Sequence, residues 1–578
     1  MIELLCYGVV KMINIIKNSI KKELELFLYN TYNEKIEVTV EKPKNQKMGD
    51  ISIPVFSAVK VLRKPLPKVV ETISEQVKKS EYANYFDKIN TVSGFINISL
   101  NKELFAKSVI EDVDNTKNYG ESDLGQGKTI VMDYSSPNIA KPFSVGHLRS
   151  TVIGHAIGNI LEKLNYKVVR INHLGDFGTQ FGKIIYAYLN HGDKDKVEEN
   201  PIEELMKLYV DFHERAKEDP SMEDEARNIF KELEQGNPKY VKLWQHFREV
   251  SLEEYMKVYQ ILGVQFDSYN GEAFYNDKMK AVVDELKNKE LLVKDEGAMI
   301  VSLGEDLPPA LIQKRDGSTL YITRDLAALF YRKNTYDFDE VLYVVGNEQK
   351  LHFTQLREVV KKMGYEYYED IHHINFGLVL QGGKKMATRK GKIVKLMDVL
   401  QEATKLSLNY INDKNPTLKN KEEIAEKVGV SAIIFNDLKN YRANDIEFNL
   451  SDMVNFVGQT GPYLQYTSVR ISSIIEKNVI EKENLDYSLY TSEASFELIK
   501  TIDEYPEVLV KAKEEYSPSV VAKYLLTLAS YFNTYYAQEK VMVEDLLERN
   551  TKLFLISIVR DILDDGMKLL GMQVIKKM

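Results

Sequence analysis

Between Gly146 and Leu164 the apolar positions Leu148, Val152, Ile153, Ala156, Ile157, Ile160, Leu161 and Leu164 recur with the period of an α-helix. The stretch Thr129–Tyr134 before it and Lys167–Asn172 after it read as strands. Strand, loop, helix and strand in that order predict a βαβ unit, the start of a parallel doubly wound sheet. Val341–Val345 and Ile374–Leu380 read as later strands of that sheet, after a charged helical insertion at about 193–263. From about Leu396 onward the chain is almost wholly helical in pattern. Ser517-Pro518 reads as an N-cap and first turn, followed by one apolar face of Val521, Tyr524, Leu525, Leu528, Phe532 and Tyr535. A last helix carries Phe554, Ile558, Ile562 and Leu569.

The N-terminal segment mixes a helix, short strands such as the alternating Phe95–Leu100, and a second helix. Gly120, Gly125 and Gly127 among polar residues mark its end. The expected fold is multidomain α/β: an N-terminal α+β domain over 1–119, a Rossmann-like doubly wound domain over 120–395, a helical connecting region over 396–451, and an all-α helical bundle over 452–578.

Composition narrows the class. A chain of 578 residues is too long for one hydrophobic core. Its 44% hydrophobic and 28% charged residues are an ordinary globular balance. No apolar run is long enough to span a bilayer, and no membrane partner is expected. The apolar Met1–Val10 lacks a basic flank and a cleavage site, so it does not read as a secretory signal. Met12 opens a more usual amphipathic stretch, and the first eleven residues read as a start-site extension. A single cysteine, Cys6, excludes a disulfide framework and any zinc site of several thiolates, and fits a reducing, cytoplasmic compartment. The net charge of −9 argues against indiscriminate nucleic-acid binding, though only local clustering of Lys and Arg decides a specific one.

Two loops carry candidate chemistry. The first, Ser135 to Ser150, includes Asn138, Lys141, Ser144, Gly146 and His147 and joins the first strand to its helix. Open α/β sheets bind ligands at that end of a strand, and the helix start offers unpaired N–H groups to phosphates. Taken alone, His147 is as well read as a surface histidine on a plain βα turn. The second, Gln381 to Lys392, brackets Lys384, Lys385, Met386, Arg389, Lys390 and Lys392 between glycines with no acid among them. Such a loop can close over a polyphosphate; it is equally a solvated basic hairpin.

Together these segments resemble the His-x-Gly-His and Lys-Met-Ser-Lys motifs of class I aminoacyl-tRNA synthetases. SSPNIAKPFSVGHLRSTVIG (from Ser135), NHLGDFGTQFG (from Asn172), YITRDLA (from Tyr321) and TGPYLQYTSVR (from Thr460) resemble the arginyl-tRNA synthetase family in particular, in the same order over nearly the whole chain. Ser144 stands where the first motif has a histidine, and the second motif reads Lys-Met-Ala-Thr without its final lysine. A serine hydroxyl can bond a phosphate or ribose oxygen but carries no charge. The resemblance offers Lys141 as the stand-in for the missing lysine; Arg389 and Lys390 are other candidates.

The resemblance implies an ATP-dependent ligase that forms arginyl-adenylate and transfers arginine to tRNA(Arg), working as a monomer with Mg²⁺ on the nucleotide, no zinc or other protein-bound metal, and no DNA ligand. It implies catalytic roles for His147, Lys385 and Lys141. ATP would be held by Ser144, Gly146, His147, Lys385 and Met386. Arginine would be held by Asp133, Asn138, Tyr321, Asp325 and Gln349. It makes the N-terminal module a contact for the tRNA elbow, the region 396–451 a stem contact, and the bundle an anticodon-binding domain. There Tyr463, Gln465, Tyr466 and Arg470 would meet unstacked bases. A forked carboxylate suits a planar guanidinium and not an ammonium, so lysine should be rejected by roughly 10⁴-fold without an editing domain. The alternative is a non-catalytic tRNA-binding paralogue, which the two motif changes favour; a cysteinyl enzyme, which needs several thiolates, is excluded.

Overall fold

The computed structural model describes residues 11–578 apart from 316–319, 387, 390–391 and 482–483, and omits the side chains of Gln46, Thr388, Arg389, Lys392 and Ile393. Cys6 and most of the start-site extension therefore lie outside the described residues, as do the side chains of Arg389, Lys390 and Lys392.

The N-terminal module comprises α1 (Met12–Tyr32), β1 (Ile51–Pro54), α2 (Leu66–Val77), β2 (Phe86–Val92), β3 (Phe95–Leu100) and α3 (Lys102–Asn115), with a short helix at Phe56–Leu62. The strands form an antiparallel sheet in the order β1-β3-β2. It holds two more helices than the sequence pattern indicated. The start of α1 docks on the C-terminal part of the chain: the N–H groups of Met12 and Ile13 donate to the Asp503 carboxylate at 3.1 and 3.2 Å. Burial lifts the Asp503 pKa to about 7 even though those two amides and Lys11 pull it down.

The central sheet is parallel, in the order β10 (Ile371–His373), β9 (Glu340–Tyr343), β4 (Thr129–Asp133), β5 (Lys167–Ile171). Between β4 and β5 runs α4 (Val145–Lys163), one residue ahead of its expected span. Ser144 has the extended backbone of an N-cap, and Gly154 is required because a Cβ there would collide with the Tyr134 ring. The sheet's first strand has its sequence successor on one side and β9 on the other. In open α/β sheets the loops diverge at such a point, and a ligand crevice is expected at the carboxyl ends.

After β5 come α5 (Thr179–His191), α6 (Lys194–Glu199), α7 (Pro201–Arg215), α8 (Ser221–Glu234) and α9 (Pro238–Leu262). The segment 292–313, to which the sequence pattern assigned no element, is an antiparallel meander of β6 (Leu292–Asp295), β7 (Ala298–Val301) and β8 (Ala310–Gln313). It leads into α10 (Tyr321–Tyr336), and α11 (Lys350–Lys362) follows β9.

The expected strand Ile374–Leu380 is corrected. The chain leaves the sheet after His373, and β11 (Val379–Gln381) belongs to a separate small sheet with Lys384–Lys385 and Ile446–Glu447. Gly377 marks the break: a Cβ there would strike the backbone of Asn444, at 2.5 Å. The remainder is helical: α12 (Leu396–Lys414), α13 (Lys421–Leu438), α14 (Gly461–Ile475), α15 (Glu493–Glu514), α16 (Ser519–Gln538) and α17 (Leu546–Leu569). Helix α16 begins one residue beyond the expected turn, with Pro518 in the cap position. No helix of the described residues is long and apolar enough to cross a membrane.

Candidate active site

The loop after β4 is the strained part of the crevice. Ser135, Ser136 and Ala140 all have positive φ, at 74°, 31° and 59°, a conformation costly for side-chain-bearing residues that persists only where surroundings impose it. Ser135 Oγ lies 2.7 Å from Thr151 Oγ1 and 2.8 Å from the Tyr259 hydroxyl, and its N–H donates to Ser150 Oγ. Ala140 N–H donates to Ser251 Oγ, and the Tyr255 hydroxyl donates to the carbonyls of Asn138 and Lys141. Ser251, Tyr255 and Tyr259 all come from α9, so the last helix of the insertion is a wall of the site.

At the start of α4 the Ser144 N–H donates to His147 Nδ1 at 3.1 Å, with Ser144 Oγ 3.3 Å from the same atom. An accepting Nδ1 puts the ring proton on Nε2. Burial, and then the charge of Lys141, lower the His147 pKa to about 4. The ring is therefore neutral at physiological pH, with its proton on Nε2. Gly146 is exposed in the first turn.

The second candidate loop is fastened beside the first. Val145 N–H donates to the Val394 carbonyl, Leu396 N–H donates to the Phe143 carbonyl at 2.9 Å, and Ser144 bridges to Lys395. Lys385 is exposed and 3.7 Å from Glu348, which precedes the exposed Gln349. Met386 is buried, its N–H on the Val379 carbonyl, so it anchors the hairpin. The Glu447 carboxylate accepts from the N–H groups of Gly382 and Gly383 at the hairpin tip.

A polar cluster lies at the ends of β4, β5 and α10. Asp133 is buried and pairs with Arg332 at 2.7 Å. The same guanidinium meets His173 Nδ1 at 3.2 Å. Asp325, two helical turns before Arg332 on α10, is 2.6 Å from His352 Nε2 of α11. Burial alone would raise the Asp325 pKa, but the His352 hydrogen bond and the charges of His352, His173 and Arg332 outweigh it and hold the carboxyl below its usual range. Glu272 pairs with Arg324 at 3.3 Å. Burial pushes its pKa to about 7, opposed by Arg324 and reinforced by Asp325 and Asp176. Arg332, His352, His173 and Glu272 were not singled out in the sequence. A helical spacing of seven from Asp325 was the one local hint for Arg332.

The cluster and the helix start are joined through 172–177. His173 interacts electrostatically with Asp133, Arg332 and Asp325. Two residues on, Gly175 pairs with Asn138: Ile139 N–H donates to the Gly175 carbonyl and Gly175 N–H to that of Pro137, both at 3.1 Å. Asn138 is linked by Tyr255 to Phe143, whose ring packs 5.1 Å from that of His147. Asp133, Asn138, Asp325 and His147 thus share one continuous network at the carboxyl edge. Tyr321 stands apart from it: it opens α10 and is 70% exposed.

On the bundle, the expectation for Gln465 is corrected. It is 0% exposed, and its amide donates to Ser431 Oγ and the Gln573 carbonyl, so it cannot reach RNA. Tyr463 is half-buried and accepts from Asn533. Tyr466 and Arg470 are exposed one turn apart, and the Arg470 guanidinium lies 4.4 Å over the Tyr536 ring. Among the described residues there is no group of three or more His, Cys, Asp or Glu arranged to hold a metal ion.

A parallel sheet whose crevice carries this helix start, with the basic hairpin fastened against it, defines a class I aminoacyl-tRNA synthetase. The family description "tRNA synthetases class I (R), catalytic domain" matches residues 109–450. "Arginyl tRNA synthetase N terminal domain" matches 14–100 and "DALR anticodon binding domain" 464–578. The chain belongs to the arginyl-tRNA synthetase family. It is 49% identical to the arginine–tRNA ligase of Enterococcus faecalis over 94% of this chain and 96% of that one, and 48% identical to that of Exiguobacterium sibiricum over 93% and 95%. The arginyl-tRNA synthetase of Plasmodium falciparum superposes with a TM-score of 0.78 at 27% identity, covering 97% of this chain and 99% of that one. The Thermus thermophilus enzyme shares the fold, with a TM-score of 0.80 at 22% identity over 97% and 100%.

Proposed function

We propose that this chain attaches arginine to tRNA(Arg) in two steps at the crevice. The arginine carboxylate attacks the α-phosphorus of ATP, the bond to the β-phosphate oxygen breaks, and pyrophosphate leaves. The 2′-hydroxyl of the tRNA's terminal adenosine then attacks the adenylate carbonyl, and AMP leaves. No protein nucleophile is needed; positioning and stabilisation of phosphate charge do the catalysis. Gly146 and the start of α4 receive phosphate, the Nε2–H of His147 donates to it, and Lys141 and Lys385 face the departing pyrophosphate. Ser144 acts chiefly by orienting His147, and Met386 by anchoring the hairpin. Mg²⁺ arrives on the triphosphate as part of the substrate. The guanidinium is gripped by Asp325 with Glu272 beside it, the α-amino group lies toward Asp133 and Asn138, and Tyr321 and Gln349 close the rim.

The observation that carries this reading is the shared network of Asp325 and His147. On the bundle, Tyr466 and Arg470 would contact unstacked bases, with Tyr463 behind them. The reading brings with it a cytoplasmic monomer whose 1–119 module touches the tRNA elbow and whose 396–451 region touches the stem. The testing experiment is ATP–pyrophosphate exchange with and without tRNA. Arginine-dependent exchange that requires tRNA is expected. Full exchange without tRNA would overturn the expected order, and no exchange under either condition would favour a non-catalytic tRNA-binding paralogue.

A further inference from the structure

We propose that Asp176 and Arg248 are positioning residues of the amino-acid pocket, which makes the insertion helix α9 a working part of arginine recognition. The proposal rests on reading Asp325 and Glu272 as the guanidinium side of that pocket.

Asp176 is 1% exposed, in the loop that leaves β5. Its carboxylate accepts from Arg248 Nε at 2.8 Å and from the Ala273 N–H at 2.9 Å. Its backbone carbonyl accepts from Trp244 Nε1 at 2.6 Å. Arg248 also donates through Nη2 to the Tyr269 carbonyl at 2.7 Å. One buried carboxylate therefore ties three pieces of chain together: the 172–177 loop, the 268–275 loop and α9. The fit is close enough that a Cβ on Gly271 would collide with that carboxylate.

What these loops carry gives the tie its meaning. Glu272, whose N–H donates to the Leu174 carbonyl at 2.9 Å, lies between Gly271 and Ala273. His173 precedes Asp176 by three residues, stacks on Tyr275 with ring centroids 5.5 Å apart, and meets Arg332, the partner of Asp133. Gly175, immediately before Asp176, pairs with Asn138. Glu272 thus lies next to the Asp176 lock, Asn138 is one backbone pairing away through Gly175, Asp133 is reached through Arg332 and His173, and Asp325, hydrogen-bonded to His352, couples to the lock's loops electrostatically through His173 and Glu272. The bonds that fasten the nucleotide side do not run through Asp176 or Arg248: Ser251 and Tyr255 hold the 138–141 loop and backbone bonds join Phe143–Val145 to Val394–Leu396, while Tyr255 and Tyr259 also reach the arginine side through the Asn138 carbonyl and the Asn172 amide. Loosening the lock should therefore shift arginine binding and leave ATP binding alone. A buried carboxylate deprived of its cation is poorly tolerated, so the loops should move to rehydrate it.

The test uses the full chain with tRNA present and active sites titrated. Arg248→Gln and Asp176→Asn are each expected to raise KM for arginine by about ten-fold or more, with KM for ATP and kcat within about two-fold, since a misplaced pocket costs uniform substrate binding. The double variant should be little worse than either single one, as for two residues acting as a unit. Arg248→Lys should recover part of the loss. Trp244→Phe, which removes the indole N–H and the five-membered ring that carries it but leaves the Asp176–Arg248 pair in place, gives a milder version, with KM for arginine raised about three-fold. The proposal is overturned if KM for arginine stays at the wild-type value in these variants, or if both KM values rise together in step with a lowered thermal midpoint. If the wild-type protein itself shows no arginine-dependent exchange, the pocket reading fails and takes the lock's role with it.

Discussion

Replacing Asp325 with asparagine is expected to lower kcat/KM for arginine by roughly 10³-fold, the usual scale for removing one partner of a desolvated charge pair. The substitution keeps the size and the planar fork of the side chain, so packing between α10 and α11 should survive. What disappears is the charge, together with one of two acceptor oxygens, because the amide presents an N–H₂ group to a ligand made entirely of donors. His352 sits 2.6 Å from one carboxylate oxygen and sets the plane of the group. A guanidinium can then engage it in parallel, which an ammonium cannot do. The loss should fall on arginine, with KM for ATP nearly unchanged. Glu272 gives the same pocket a pH signature. Its carboxyl holds a proton up to about pH 7 in the empty site, whereas a cation beside it favours the ionised form. Arginine binding therefore releases a proton and should strengthen as pH rises from 6 through 7, then level off. Steady-state kinetics across that range check both statements, and an Asp325→Asn enzyme with wild-type kcat/KM would refute the assignment.

The second large effect is expected at His147. Its alanine variant should lose about 10²–10³-fold in kcat for activation, the scale measured for removing one preorganised donor from a developing oxyanion, while KM for arginine changes little. The Nδ1 atom is occupied by the Ser144 N–H, which leaves Nε2–H as the donor. The lowered pKa, about 4 through burial and the nearby Lys141, keeps that donor neutral. Between pH 6 and 8 the rate at saturating arginine should accordingly show no step attributable to His147. A His147→Asn variant, which retains an N–H donor, should be less impaired than the alanine form. Rapid-quench measurement of adenylate formation across that pH range decides the matter. An acid limb near pH 6.5 that vanishes in His147→Ala would show a cationic role instead.

How far the pattern of residues led, and where it stopped, follows from the geometry. The βαβ unit was legible because seven apolar positions of α4, with Leu164 just past its end, repeat with one period between two short strands. The stretch after His373 has similar alternation but does not continue the central sheet: the chain turns aside at Gly377, against the Asn444 backbone, and Val379–Gln381 joins a separate small sheet. The first-motif loop was readable from its place at a strand end. The amino-acid pocket was legible only in part: Asp133 and Asp325 came through the family resemblance and His173, Glu272 and His352 not at all, because the five belong to separate segments that only the sheet and its loops assemble. The error at Gln465 has a simple cause. Adjacent helix positions point about 100° apart, so the residue beside an exposed Tyr466 faces the core, whereas Arg470, one turn on, shares its face. In the proposed arrangement Lys141 and the exposed Lys385 supply positive charge on the phosphate side without the second motif's final lysine.

In the proposed enzyme one crevice joins a guanidinium-specific carboxylate to a nucleotide cradle. The most direct test of that arrangement is charging of total tRNA with each of the twenty amino acids in turn, with ATP and Mg²⁺ supplied. Stable ester formation is expected with arginine alone, and with lysine at no more than about one part in 10⁴. Charging with any other amino acid at a comparable rate, or none with arginine, would contradict that arrangement.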